Sequence, residues 1–168
     1  MLRPLCPADA PALIEFFASH TPETVHDRYG YSISDMSPER AGALVGVNQA
    51  WDLALGIFGA GRSGERLAAV GRFCRDPDGS GAEFALVVRE NRRHLGMGSL
   101  LLKKLIEVAA GRGLDRLWAQ ISADMPSSTG PLRKMIRSFS RREKMSKARS
   151  PRLVCSTTIG TRLSMVAW

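Results

Sequence analysis

The sequence predicts a mixed α/β fold, one sheet with helices packed against it. Three observations carry that expectation. Strand-like and helix-like runs follow one another without internal repeats. Strong turn signals separate neighbouring strand-like runs. One stretch, "GSLLLKKLIEVAA", carries leucines at helical spacing. At 168 residues the chain fits one domain with a real core.

The elements come in a readable order. "LRPLCPADAPALIEFFASH" opens with a short strand, after which Asp9 caps a helix with Pro11 in its first turn, where a missing N–H costs little. Leu13, Phe16 and Phe17 give that helix its apolar face. "SPERAGALVGV" repeats the device, with Ser37 at the cap and Pro38 next. "WDLALGIFGA" and "RLAAVGRFC" read as strands joined by the glycine-rich turn "GRSGER". "RDPDGSG" is a second turn, through Pro77, Asp78 and Gly79, so "RLAAVGRFC" and "AEFALVV" should form an antiparallel hairpin. In "GSLLLKKLIEVAA", Leu101, Leu102, Leu105, Ile106 and Ala109 share one face, and Lys103 can pair with Glu107 across one turn. Gly111 or Gly113 ends this helix, and "LDRLWAQIS" is the next strand.

Composition narrows the function classes. No stretch approaches the ~18 apolar residues of a membrane span, and "MLRPLCPADAPALIEFF" lacks the apolar core of a secretory signal. A cytosolic protein with no membrane partner is expected. Cys6, Cys74 and Cys155 are far apart in sequence and form no CxxC or Cys/His pattern, so neither a metal site nor a disulfide framework is expected. The net charge of +8 suggests nucleic acid until its distribution is examined. Residues 1–124 sum to −1, whereas residues 125–168 hold ten Lys/Arg against the single acid Glu143. The basic character belongs to the tail. It reads as a solvated segment, with a nucleic-acid or membrane-surface arm as the alternative.

The chemistry-bearing motif is "RRHLGMGS", between the strand "AEFALVV" and the leucine-rich helix. A helix N-terminus presents unpaired N–H groups and partial positive charge, a natural seat for phosphate oxygens. Glycine lets a phosphate approach the backbone without a Cβ in the way. Arg92 and Arg93 stand ready to add charge-assisted contacts. The motif therefore reads as a diphosphate cradle, with a ligand-free strand-to-helix turn as the alternative. It is not a P-loop, and a Rossmann fingerprint would need a glycine at Leu101.

Arg93-His-Leu-Gly96-Met-Gly98 resembles the acetyl-CoA signature of the GNAT superfamily of N-acetyltransferases. "RDPDGSGAEFALVVRENRRHLGMGSLLLKKLIEVAAGRGLDRL" is similar to one branch, the GNAT domain of bacterial protein-lysine acetyltransferases that modify acyl-CoA synthetases. So is "LRPLCPADAPALIEFFASHTPETVHDRYGY", and the resemblance spans about residues 2–124. It implies a GNAT fold with a mostly antiparallel sheet flanked by helices. It implies acetyl-CoA as co-substrate, without a metal, and an amine acceptor such as a lysine of an acyl-CoA synthetase or another protein. Arg93, His94, Leu95, Gly96, Met97, Gly98 and Ser99 would hold the diphosphate, His94 through its backbone. The backbone of Leu86, Val87 and Val88 would pair with the pantetheine arm. Glu83 would be the general base. On the residues alone, Glu83 is a carboxylate in an otherwise apolar strand, either a base for the amine or a hairpin-end glutamate facing water. Alternation puts Glu83, Ala85 and Val87 on one face, and Phe84, Leu86 and Val88 on the other. His20 and His26 read as surface histidines near the acceptor loop, Cys74 as a packed side chain, and Tyr29 and Tyr31 as loop or acceptor-side residues.

The resemblance divides the chain into a core, 1–124, and a basic, atypical end of the same domain, 125–168. Met125 and Ser138-Phe139 replace an expected Asn and Gly-Phe pair, and no tyrosine follows Tyr31 to serve as general acid. "PLRKMIRSFSRREKM" is helix-like, and "RLVCSTTI" and "TRLSMVAW" are strand-like. Divergence of this end and a shift of the coding frame near codon 125 both fit. Translating the coding DNA in the other two forward frames after codon 124 decides between them. A shift predicts an Asn-led helix, a Gly-Phe pair and alternating strands; their absence from both frames rejects it. Three rivals remain: an acetyltransferase for small amines, a non-catalytic acyl-CoA-binding regulatory domain, and a nucleic-acid binder using the tail.

Overall fold

The computed structural model describes residues 1–29, 35–61, 64–122 and 152–158; of residues 26–29, 120–122 and 152–158 it describes the backbone alone. Strand β1 (Leu2–Pro4) leads through a 3-10 turn to helices α1 (Ala10–Ala18), α2 (Pro22–Tyr29) and α3 (Pro38–Val45). Strands β2 (Leu53–Gly61), β3 (Gly64–Arg75) and β4 (Gly81–Val88) follow, then helix α4 (Met97–Gly111) and strands β5 (Arg116–Ser122) and β6 (Arg152–Thr158). The six strands form one sheet in sequence order. The first three pairings are antiparallel, with the expected hairpin matching Cys74 to Glu83 and Arg72 to Ala85. The last two are parallel.

Each face of the sheet buries its own apolar cluster. On one face, α4 packs Leu101, Leu102, Leu105, Ile106 and Ala109 against Leu55, Phe73, Phe84 and Leu117. Leu101, Leu102 and Leu105 are fully buried, each worth roughly 1.5–3 kcal/mol relative to exposure. On the other face, Leu13, Phe16 and Phe17 of α1 meet Val25, Val45, Ala54, Phe58 and Leu67. A β-bulge between Ile57 and Phe58 leaves Ala68 without a cross-strand partner. The extra residue re-aims the strand, so Ala69 faces α4 while Leu67 faces α1.

Several expectations need correction. Asp9 stands at the N-cap of α1 but makes no side-chain cap bond. Arg3 takes its carboxylate instead, through two bonds of 2.7 Å, and the Cys6 N–H donates to it at 2.8 Å. A bidentate guanidinium and a backbone amide outbid the helix end. Helix α2 is an element that the sequence reading lacked. Lys104, not Lys103, pairs with Glu107, at 3.1 Å and one residue closer along the helix. Ser37 does cap α3, accepting from Arg40 N–H at 3.2 Å. Of the strand-like "RLVCSTTI", Arg152–Thr158 is a strand, as expected, and extends the sheet beside β5. The helix-like "PLRKMIRSFSRREKM", the strand-like "TRLSMVAW" and Tyr31 lie outside the described residues.

The Arg3–Asp9 pair sets an acid limit on stability. The Arg3 guanidinium holds the Asp9 carboxyl down to about 2, from 3.8. A depressed carboxylate contributes stability above its unfolded pKa and loses it as pH falls through the folded one. Asp9→Asn should therefore cost about 2 kcal/mol at pH 7 in urea melts and less below pH 2. Equal stability at pH 7 would show that the pair is merely superficial.

Candidate active site

The site is built where β4 leaves its neighbour. β4 pairs with β5 only over Gly81–Glu83, opposite Arg116–Trp118. Beyond Glu83, β4 stays bonded to β3 on one side, while β5 runs on beside β6. A fork opens between two parallel strands, with Glu83 at its apex. Leu86, Val87 and Val88 lie along the opened edge, where the backbone toward β5 has no ladder partner among the described residues. Such an edge accepts an extended amide-bearing chain by strand-like pairing. The alternation read from sequence holds. Leu86 and Val88 pack toward α4, and Val87 packs toward α1.

The edge leads into the cradle. After β4 comes a 3-10 turn at Glu90–Arg92, and then His94 with φ 64° and Gly96 with φ 79°. Gly96 is the N-cap of α4 in a left-handed conformation that glycine adopts without steric cost. His94 adopts a similar conformation without being glycine, the kind of local strain found at binding turns. No described side chain caps α4, and Leu100 N–H bonds back to Gly96 O at 3.0 Å. A Cβ on Gly98 would meet nothing nearer than Val88 Cγ2 at 3.8 Å. Packing therefore does not demand glycine there, and the missing Cβ keeps the approach to the helix mouth clear. Leu95 is exposed and Met97 half-buried at this mouth, with Ser99 in the first turn. These residues fit a diphosphate.

Arg93 behaves differently from the simple expectation. Its Nη2 donates to Thr24 Oγ1 at 2.9 Å, and lies 4.0 Å from Glu90 Oε1. Glu90 in turn accepts from Thr21 N–H and Thr24 Oγ1, both at 2.9 Å. The Thr21 amide holds the Glu90 carboxyl below the usual carboxylate range. This network ties the cradle's entrance to α2. Arg89 anchors it from beneath: its N–H and Nε donate to Ala68 O and Leu67 O at the bulge, at 2.9 and 2.7 Å. Its Nη2 lies 3.2 Å from Glu15 Oε1, near enough for charge attraction though off the hydrogen-bond line.

On the α1 face a pocket of about 40 Å³ lies between α1, α2 and the sheet, with Ala85 and Val87 of β4 in its wall. By the measure of about one probe sphere per water, it admits a few waters or a slim side chain. Its walls are mostly apolar, and its polar members are His20, Thr24 and Arg72. His20 is half-buried rather than a surface residue. Its Nδ1 donates to Phe16 O at 2.6 Å, so Nε2 carries the lone pair, and no described group donates to it. Burial pushes its pKa down and keeps the ring neutral at pH 7. Arg72, Thr24, Arg89 and Glu90 are functional-site neighbours that sequence reasoning missed. The usable signal was a charge in the apolar run "AAVGRFC", the same signal that singled out Glu83.

Among the described residues no group of three or more His, Cys, Asp or Glu could hold a metal ion. No described helix is long and apolar enough to cross a membrane.

The acetyltransferase (GNAT) family profile matches residues 18–130. The chain belongs to the GNAT acetyltransferase family. Acetyl-CoA is the acyl donor of that family, and the chain is a GNAT-family N-acetyltransferase. Solved structures share its fold. The GNAT domain of S. lividans PAT superposes with a TM-score of 0.68 at 22% identity, over 82% of this chain and 78% of that one. The ribosomal-protein-alanine N-acetyltransferase from Brucella melitensis gives 0.63 at 23%, over 83% and 82%. YncA from Salmonella typhimurium, solved with its cofactor acetyl-CoA, gives 0.62 at 18%, over 83% and 77%.

Proposed function

We propose that this GNAT enzyme transfers the acetyl group of acetyl-CoA to a lysine ε-amine of a protein, with Glu83 as general base. The observation that carries the reading is the fork: one carboxylate stands at its apex, an unpaired β4 edge runs from it, and a glycine cradle ends it. The backbone of Leu86, Val87 and Val88 holds the pantetheine arm. The turn from Arg93 to Ser99 (Arg93, His94, Leu95, Gly96, Met97, Gly98 and Ser99) holds the diphosphate. Backbone N–H groups do most of this work, and Arg93 contributes charge from its place beside Thr24 and Glu90.

The chemistry is aminolysis of a thioester. A lysine amine near its reference pKa of about 10.4 is almost wholly protonated at pH 7. Glu83 takes the proton, directly or through one water, and frees the nitrogen lone pair to attack the thioester carbon. An N–H on the opened edge polarises the carbonyl as negative charge develops on its oxygen. The C–S bond then breaks, the nitrogen gives up its second proton to solvent to become the neutral amide, and the departing thiolate collects a proton from solvent. The apolar walls of the α1-side pocket suit the aliphatic stem of a lysine. A small amine is the second reading, favoured by the pocket's modest volume. The cytosol, where acyl-CoA pools and acyl-CoA synthetases meet, is the proposed compartment, and neither membrane nor nucleic acid is a proposed partner. The division into a core of residues 1–124 and a basic C-terminal segment, 125–168, is part of the same proposal.

The test is a thiol-release assay with acetyl-CoA and an acyl-CoA synthetase as acceptor, with mass spectrometry of the product. Acceptor-dependent CoA release with an acetylated lysine supports the reading. Release without an acetylated amine, or none with proteins and amines alike, rejects it.

A further inference from the structure

The α1-side pocket holds a charge that the transfer chemistry does not use. Arg72, on β3, is 9% exposed and forms part of the pocket wall. Its one side-chain hydrogen bond among the described residues is Nη2 to Cys74 Sγ at 3.2 Å, and no described acid pairs with it. The other buried ionic groups among the described residues are provided for. Asp9 has a bidentate arginine and an amide, and Arg89 has a carbonyl and a nearby carboxylate. A guanidinium out of water without an anion is costly and is retained only where something compensates it. Among the described residues that line the pocket there is no carboxylate, so an anion carried in by a bound molecule can compensate the charge.

We propose that Arg72 seats a carboxylate carried by the acceptor, so the enzyme selects amines that have a carboxylate close by. This rests on the acetyl-transfer reading above and deepens it. Register supports the placement. Arg72 lies opposite Ala85, two residues along β4 from Glu83 and on the same face. Diagonal neighbours of this kind are about 7–8 Å apart, within the span of an amine and a carboxylate on one small molecule or on adjacent side chains. Planar guanidinium donors match a carboxylate in two parallel bonds. The neutral His20 ring adds only a lone pair to the pocket, so it can accept from the acceptor's N–H groups and does not repel them. Two sources of carboxylate satisfy this chemistry: a free amino acid, or an acidic residue beside the target lysine.

The experiment uses two matched pairs with the full chain saturated with CoA. One pair is L-lysine and L-lysinamide; the other is Nα-acetyl-Glu-Lys-amide and Nα-acetyl-Gln-Lys-amide. Affinities are read by calorimetry in wild type, Arg72→Met and Arg72→Lys. In at least one pair the acid should bind ~10-fold or more tighter than its amide, as expected for a charge-assisted bond. That preference should vanish in Arg72→Met and return in part in Arg72→Lys. Preference in the first pair identifies a free amino acid, and in the second an acidic flank. Equal affinity within both pairs, no binding of either pair, or a preference that survives Arg72→Met overturns the proposal. The comparison within wild type needs no variant to fold. Binding is also read apart from turnover. Acid preference without acetyl transfer sinks the transferase reading alone, and transfer without acid preference sinks only the role of Arg72.

Discussion

Gly98→Asp is expected to abolish the rise in melting temperature that acetyl-CoA gives the wild type. A ligand that binds only the folded state at one hundred times its Kd stabilises it by about 2.7 kcal/mol. For a domain of this size that is a shift of roughly 5–10 °C. The protein itself has room for a side chain at position 98, since the nearest atom to a Cβ there is Val88 Cγ2 at 3.8 Å. The unliganded mutant should therefore melt close to wild type. Its carboxylate would stand at the mouth of α4, where it faces a diphosphate of like charge and competes for the same N–H groups. Loss of the ligand shift with an unchanged ligand-free melting temperature is the expected signature. An equal shift in both proteins would mean that the diphosphate sits elsewhere.

Glu83→Gln should leave acetyl-CoA binding intact and lower kcat by roughly 10²–10⁴, the usual range for loss of a general base. The amide keeps the shape of the side chain at the fork but cannot take a proton at neutral pH. Because a free amine is then supplied only by solvent, the mutant's rate should climb about tenfold per pH unit up to the amine's own pKa near 10.4. Wild type should flatten well below that. A mutant whose pH profile parallels wild type at full turnover would remove Glu83 from the proton transfer, leaving it a hairpin-end carboxylate.

Where apolar periodicity is strong, the sequence is a good guide to the structure. The leucine face of α4 and the hairpin around Pro77–Gly79 fall where patterning and turn chemistry put them, because burial and the turn residues point the same way. Helix α2 was missed for the converse reason. "PETVHDRY" has only Val25 buried among its described side chains, so no apolar stripe announces it. It is tied down by polar contacts from Thr21 and Thr24 to Glu90, across 66–69 residues of sequence. Such long-range polar ties have no local signature. Asp9 shows the same limit: Arg3, six residues away, outcompetes the helix end. The fork was legible only through the resemblance, because nothing in "AEFALVV" says where pairing with β5 stops. The strand-to-helix turn was legible directly, since Gly96 takes the left-handed backbone that glycine supplies and Gly98 leaves the helix mouth open. Arg89 and Glu90 carried no role in the sequence reading, yet they clamp the bulge and α2 to the end of β4.

Amide hydrogen exchange with and without acetyl-CoA tests the central assignment most directly. An occupied fork pairs the β4 edge and covers the helix mouth. Protection should rise for peptides spanning 84–88 and 94–100, while the paired β2–β3 ladder changes little. Protection confined to other segments, or none at saturating acetyl-CoA, would contradict the assignment of this fork as the acetyl-CoA site.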